Sequence, residues 1–270
     1  MPEIGLIIAP DQPPERMIAL ARAAEQAGLP EVWLWEDCFA QSGIAPAAAI
    51  LAATDRIRVG LGLMPVPLRS VGLAAMEIAT LARIFPGRFL PGIGHGVLDW
   101  MGQVGARVES PLTLLREHGT ALRSLLAGDE VTTHGRYVQL DRVQLRWPPA
   151  LPTPLYVGGV GPKTLALAGE LGDGVIFTGT ARPDDVAQGM TIARAARARA
   201  GVDRPLEAIA FTAVPVDRSP EQVAGKIGRY AAAGADRVPV LALSPEGPPD
   251  ATDRVADFAE RLAAAAALVG

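Results

Sequence analysis

The chain has 270 residues, of which 49% are hydrophobic, 20% charged and 5% aromatic, and its formal net charge is -4. That apolar fraction with so little net charge excludes disorder over most of the length, and an acidic balance without a basic block argues against nucleic acid as the main partner. The apolar runs are broken by Gly, Pro or a charge well short of the roughly 20 residues a membrane span needs, and the opening segment, with no basic stretch before Pro10 and Asp11, does not read as a signal peptide.

In chain order, short β-rich runs alternate with longer Ala/Leu/Arg runs of helical period. The expected strand–helix pairs are 3–9 with 15–28, 31–35 with 45–54, 57–63 with 73–85, and 88–93 with 112–127. They continue as 154–158 with 163–171, 174–177 with 184–200, 206–216 with 221–233, and 237–243 with 252–266. Eight such units in one chain, with no composition break, predict a single α/β domain over residues 1–270, a (β/α)8 TIM barrel. A doubly wound open sheet is the rival, weakened by the absence of a nucleotide fingerprint after the first strand. Gly28, Gly172 and Gly234 fall where helices should stop, and Ser219-Pro220-Glu221 and Pro162-Lys163 read as helix starts. Two segments exceed a minimal barrel: a long loop at 94–111 and an alternating stretch at about 130–147, expected to be a small hairpin.

The lone cysteine, Cys38, excludes an internal disulfide framework and makes the reducing cytoplasm the default compartment. His95, His118 and His134 are far apart and lack metal-ligand spacing, so no metal is expected. The only lysines, Lys163 and Lys226, lie outside the strand-like runs, which removes Schiff-base chemistry.

In such a barrel the chemistry sits at the carboxyl ends of the strands. Asp37 follows the apolar run 32–35 and can accept hydrogen bonds from a polar heterocycle; its bland alternative is to fix the next loop. Glu36 is expected to face the other way. Cys38 has no histidine near it in sequence and reads better as a small buried thiol than as a nucleophile. His95, between two glycines, reaches the barrel mouth as a proton donor or acceptor, or is structural. His118, inside a predicted helix, is read as a surface or packing residue. The glycines of the run 156–163 expose backbone N–H groups just before a helix start, a combination that attracts anions, and Thr178-Gly179-Thr180 adds donors next door.

These residues carry a resemblance. The runs RIRVGLGLMPVPLRSVGLAAMEIATLARIFPGRFLPGIGHG (56–96), VWLWEDCF (32–39) and LYVGGVGPKTLALAGELGDGVIFTG (155–179) resemble, in order, the signature segments of the luciferase-like monooxygenase family, and most closely its branch using coenzyme F420. The resemblance implies a TIM barrel holding F420, or alternatively FMN, at the strand ends, two-electron redox chemistry on a small organic substrate, and a homodimer. It implies that Asp37 meets the ring or its side chain, and that Gly62 and Leu63 form a bulge, often with a cis peptide, behind the ring. Gly158, Gly159, Gly161, Thr178 and Gly179 would hold the phosphate-bearing tail. Asp37 and His95 are the catalytic candidates, and Cys38, Trp100 and Met101 the expected substrate pocket. Members of the branch often have His where this chain has Cys38, and its sugar-phosphate dehydrogenases have Glu where this chain has Val97, so glucose-6-phosphate oxidation is disfavoured. A protein that binds the cofactor without turnover is the third reading.

Overall fold

The computed structural model describes residues 1–244 and 252–269. Its strands are β1 (Glu3–Ile7), β2 (Glu31–Leu34), β3 (Arg58–Pro65), β4 (Phe89–Gly94), the hairpin strands β5 (Val131–His134) and β6 (Gln139–Val143), then β7 (Tyr156–Gly158), β8 (Gly174–Phe177), β9 (Glu207–Ala210), β10 (Thr212–Pro215) and β11 (Arg237–Leu243). Its α-helices are α1 (Met17–Gln26), α2 (Ile44–Ala53), α3 (Val71–Ile84), α4 (Leu98–Gln103), α5 (Pro111–Ala127), α6 (Pro162–Leu171), α7 (Pro183–Arg199), α8 (Pro220–Ala232) and α9 (Thr252–Val269).

The parallel sheet runs β1-β2-β3-β4-β7-β8-β9-β11 and closes on itself through β11 and β1, with Glu3 opposite Arg237 and Ile7 opposite Leu241. It is a (β/α)8 barrel. Strands β1, β2, β4, β7 and β8 are buried almost throughout, as both faces require when helices cover the outside and side chains fill the inside.

Two layers of core follow. Between strands and helices lies a continuous, mostly aliphatic shell that also takes in Phe89, Phe177, Tyr230 and Phe258. Inside the cylinder is a separate plug of Ile7, Trp33, Leu90, Tyr156, Ile176, Ile209 and Phe211. Trp33 and Phe211 meet edge to face with centroids 5.4 Å apart, and Gly60 is needed there because a Cβ would lie 2.3 Å from the Trp33 ring. Below the plug, at the amino end of the barrel, Arg237 bonds Glu31 at 2.6 Å and Glu207 at 3.0 Å and also pairs with Glu3. Trp33 and Tyr156 donate to Glu31 and Glu207 at 2.8 and 2.7 Å, so the plug is tied to the charged ring beneath it.

The structure departs from the sequence expectations at several points. The run expected as one seventh strand is divided at Phe211, whose N–H turns to the Phe177 carbonyl of β8, while β10 beyond it pairs with β11. The 94–111 loop contains the short helix α4. Gly28 and Gly234 take left-handed φ values of 87° and 88°, but Gly172 does not: it is extended and is needed for space, since a Cβ there would lie 2.9 Å from the Ala168 and Gly174 carbonyl oxygens. Ser219 does cap α8, accepting from the Gln222 N–H.

Candidate functional site

The carboxyl ends of β2, β3, β4, β7 and β8 surround a cavity of about 580 Å³. Its floor is Phe211 and Ile176 from the top of the plug, with Trp35 beside them, its ring 6.5 Å from that of Phe211. Of the residues expected at the site, Asp37, Gly62, Leu63, His95, Trp100, Gly158, Gly159, Gly161, Thr178 and Gly179 all line this cavity.

On one side β3 breaks register with β4 between Leu61 and Met64, and the Gly62–Leu63 peptide is cis. The break turns Leu63 toward the glycine turn opposite. A Cβ on Gly158 would come within 2.3 Å of Leu63 Cδ2, and one on Gly94 within 2.5 Å of the same atom. Both glycines therefore make room for Leu63.

On the other side β7 runs through Gly158 and Gly159 into α6. The first turn of α6 has no side-chain cap: Gly161 is its N-cap, and Pro162 opens it. The orphan N–H groups of that turn, with the positive end of the helix dipole, face the cavity rim beside Thr178 and Gly179. The Thr178 and Thr180 hydroxyls lie 3.1 Å apart at the same rim. A Cβ on Gly161 would meet nothing within 4 Å, so the backbone there is open to an incoming group.

Among the described residues, Glu36, Asp37 and His95 are the titratable side chains on the cavity wall. Asp37 accepts from Trp35 Nε1 at 3.4 Å, and its loop is pinned by Gln41, whose amide donates to the Pro10 and Gln12 carbonyls. His95 Nε2 lies 2.9 Å from Thr164 Oγ1. Burial pushes the imidazole below its ordinary pKa, partly offset by the Pro111 carbonyl, which favours the neutral ring.

Three expectations are corrected. Met101 does not roof the cavity: it is 1% exposed and packs under Gly96, leaving Trp100 of the α4 pair to face inward. Cys38 is outside the cavity, half-buried in a shallow depression with Phe39 and Leu68, and its thiol is pushed up in pKa by burial, then by Glu36 and Asp37, so it is not an activated nucleophile. Glu36 does not face away: it is 8% exposed, receives two N–H bonds from Arg69 at 2.6 and 2.8 Å, and accepts from the Gly43 N–H at 3.0 Å. Arg69 in turn reaches Glu77 at 3.1 Å. Thr164 does not stand out in the sequence, and Arg69 does so only as the end of the Pro67-Leu68-Arg69 stretch within the resemblance. Among the described residues no group of three or more His, Cys, Asp or Glu is placed to hold a metal ion, and no helix is long and apolar enough to cross a membrane.

A closed parallel barrel with a register break in β3, an aromatic floor and an uncapped helix N-terminus after β7 frames one cavity at the strand ends. The chain belongs to the luciferase-like monooxygenase family, whose model matches residues 2–269. It is 30% identical over 216 residues to a 5,10-methylenetetrahydromethanopterin reductase of Methanolobus tindarius, covering 79% of this chain and 65% of that protein. It is 29% identical over 254 residues to the enzyme of the same name from Archaeoglobus fulgidus, covering 93% of this chain and 73% of that one. The chain thus spans about two thirds to three quarters of the length of these two relatives. A solved F420-dependent secondary alcohol dehydrogenase in complex with an F420-acetone adduct has the same fold, with a TM-score of 0.86 at 22% identity, over 98% of this chain and 99% of that one.

Proposed function

We propose that the protein is an oxidoreductase that binds coenzyme F420 in this cavity and exchanges a hydride with a small organic substrate held over the ring. The carrying observation is the pairing of a cavity lined by Leu63 and floored by Phe211 with an uncapped helix N-terminus and the open backbone of Gly161 at one end. That arrangement suits a planar ring bearing an anionic tail. The names of the relatives, F420-dependent or acting on a pterin, support the same reading.

Bound F420 supplies the two-electron hydride chemistry. The chain's own residues do the rest. The α6 amides and the Gly158–Gly161 turn fix the anionic end, with Thr178 and Gly179 adding donors. Leu63 lines one side of the cavity, leaving the rest for ring and substrate. Asp37 accepts hydrogen bonds from the ring edge. Trp100 narrows the mouth and excludes water. His95, neutral and partly buried, gives or takes the accompanying proton. Among the described residues neither Lys nor Arg lines the cavity, and Val97 stands where a sugar-phosphate dehydrogenase of the branch would have Glu.

The assembly that fits is a pair of copies joined through the outside of the barrel. There α3 exposes Leu73, Met76 and Ile84, and α2 exposes only alanines. Light scattering at micromolar concentration reads this directly. A soluble place in the reducing cytoplasm suits the single thiol.

Equilibrium fluorescence titration of the purified protein with F420 and with FMN tests the cofactor. Micromolar or tighter F420 binding with weak FMN binding is expected; tight FMN binding without F420 binding overturns it in favour of a flavin monooxygenase. Turnover is then assayed with reduced F420 and a panel of enones, imines and ketones. Binding without turnover across the panel replaces the enzyme reading by one of cofactor carriage.

A further inference from the structure

Thr164 stands at a junction. It is the third residue of α6, so its backbone belongs to the uncapped first turn that faces the rim. It is 9% exposed, and both ends of its side chain are engaged. Its hydroxyl is 2.9 Å from His95 Nε2. Its methyl group occupies the space over Gly159, where a Cβ would come within 2.3 Å of Thr164 Cγ2. One small side chain therefore touches both the proton-handling imidazole from β4 and the glycine turn from β7.

We propose that Thr164 is a positioning residue that couples occupancy of the anion cradle to the orientation and proton affinity of His95. An anion seated on the α6 amides and the Gly159 turn bears on the backbone and methyl of Thr164, whose hydroxyl holds the imidazole. Whichever ring nitrogen carries the proton, that hydroxyl partners Nε2: it donates to a bare nitrogen and accepts from a protonated one. Filling the cradle with a negative charge near the ring also favours the protonated imidazole. The device readies His95 only when a tail-bearing cofactor is in place. This proposal rests on the oxidoreductase reading for its catalytic meaning, but not for its physical content.

The test uses the full chain with histidine labelled in the ring and follows the His95 resonances by NMR across pH, with and without saturating inorganic phosphate. In the natural protein phosphate is expected to raise the proton affinity of His95 by ~threefold or more, equivalent to about half a pH unit. Thr164→Val, nearly the same shape but without the hydroxyl, should reduce that response to the smaller effect of the charge alone, and Thr164→Ser should restore it. In kinetics, Thr164→Val should shift the acidic limb of the pH–kcat profile and lower kcat more than it changes KM. No phosphate response in the natural protein, an unaltered response in Thr164→Val, or failure of Ser to rescue overturns the proposal. F420 affinity is measured alongside. Loss of F420 binding by the natural protein sinks the oxidoreductase reading while leaving the His95 titration to decide this one.

Discussion

Glu36 and Arg69 are joined by a two-pronged bond, with nitrogen–oxygen separations of 2.6 and 2.8 Å, across the wall of the cavity. Their side chains are 4% and 12% exposed, and Glu77 meets the same guanidinium at 3.1 Å. Removing one member of such a buried group strands the others. Arg69→Met should destabilise the fold by about 3 kcal/mol or more. Glu36→Gln should cost less, because Glu77 still balances Arg69. Urea denaturation of the two variants should rank them in that order.

His118 sets a pH limit on stability. It is 2% exposed within α5, and burial, with a further push from the Arg69 charge, lowers its pKa from 6.5 to about 4. Below pH 6.5 the unfolded chain takes up a proton there that the folded chain refuses. Its contribution is therefore whole above that pH and lost progressively as pH falls from 6.5 to about 4, amounting to about 3 kcal/mol. His118→Gln should flatten this slope in denaturation curves taken between pH 7.5 and 4.5.

Two glycines of the β7–α6 turn should behave oppositely. Gly158→Ala drives a methyl into Leu63 and should weaken F420 binding by about tenfold or more, the order expected for 1.4 kcal/mol of misfit. Gly161→Ala enters open space and should change affinity by about threefold or less. Equal losses in fluorescence titrations would contradict the role given to Leu63.

At the opposite end of the barrel, Arg237→Met leaves Glu31, 0% exposed, without its nearest cation. A cost of about 3 to 5 kcal/mol is expected. Thermal melts read it, and F420 affinity measured below the transition should stay near that of the natural protein.

Much of this architecture was legible because hydrophobic period and helix stop signals are local. The eight strand–helix units emerge from alternation alone, and the positions that line the cavity follow from one rule about strand ends. What escaped was set by distance in space. Nothing in the chain announces that Arg69 will pair with Glu36, 33 residues before it, or that Thr164 will meet His95, 69 residues away. Residues 98–103 read as loop in the sequence because α4 is short and sits among glycines. Met101 was misplaced because only the turn of α4 decides which of two adjacent side chains, Trp100 or Met101, points inward. Gly172 shows the same limit from another side, since a glycine required for room looks identical in sequence to one required for a left-handed turn.

The tilted and edge-to-face rings of Trp33, Tyr156 and Phe211 give the barrel a solid bulkhead. Above it the rim segments are free to differ in shape and charge, and below it the ionic ring keeps the staves together. Alterations at the mouth that spare the Glu36–Arg69 pair need not be felt at the foundation, so the protein can be refitted for other reactants by exchanging rim loops while its resistance to unfolding stays nearly constant.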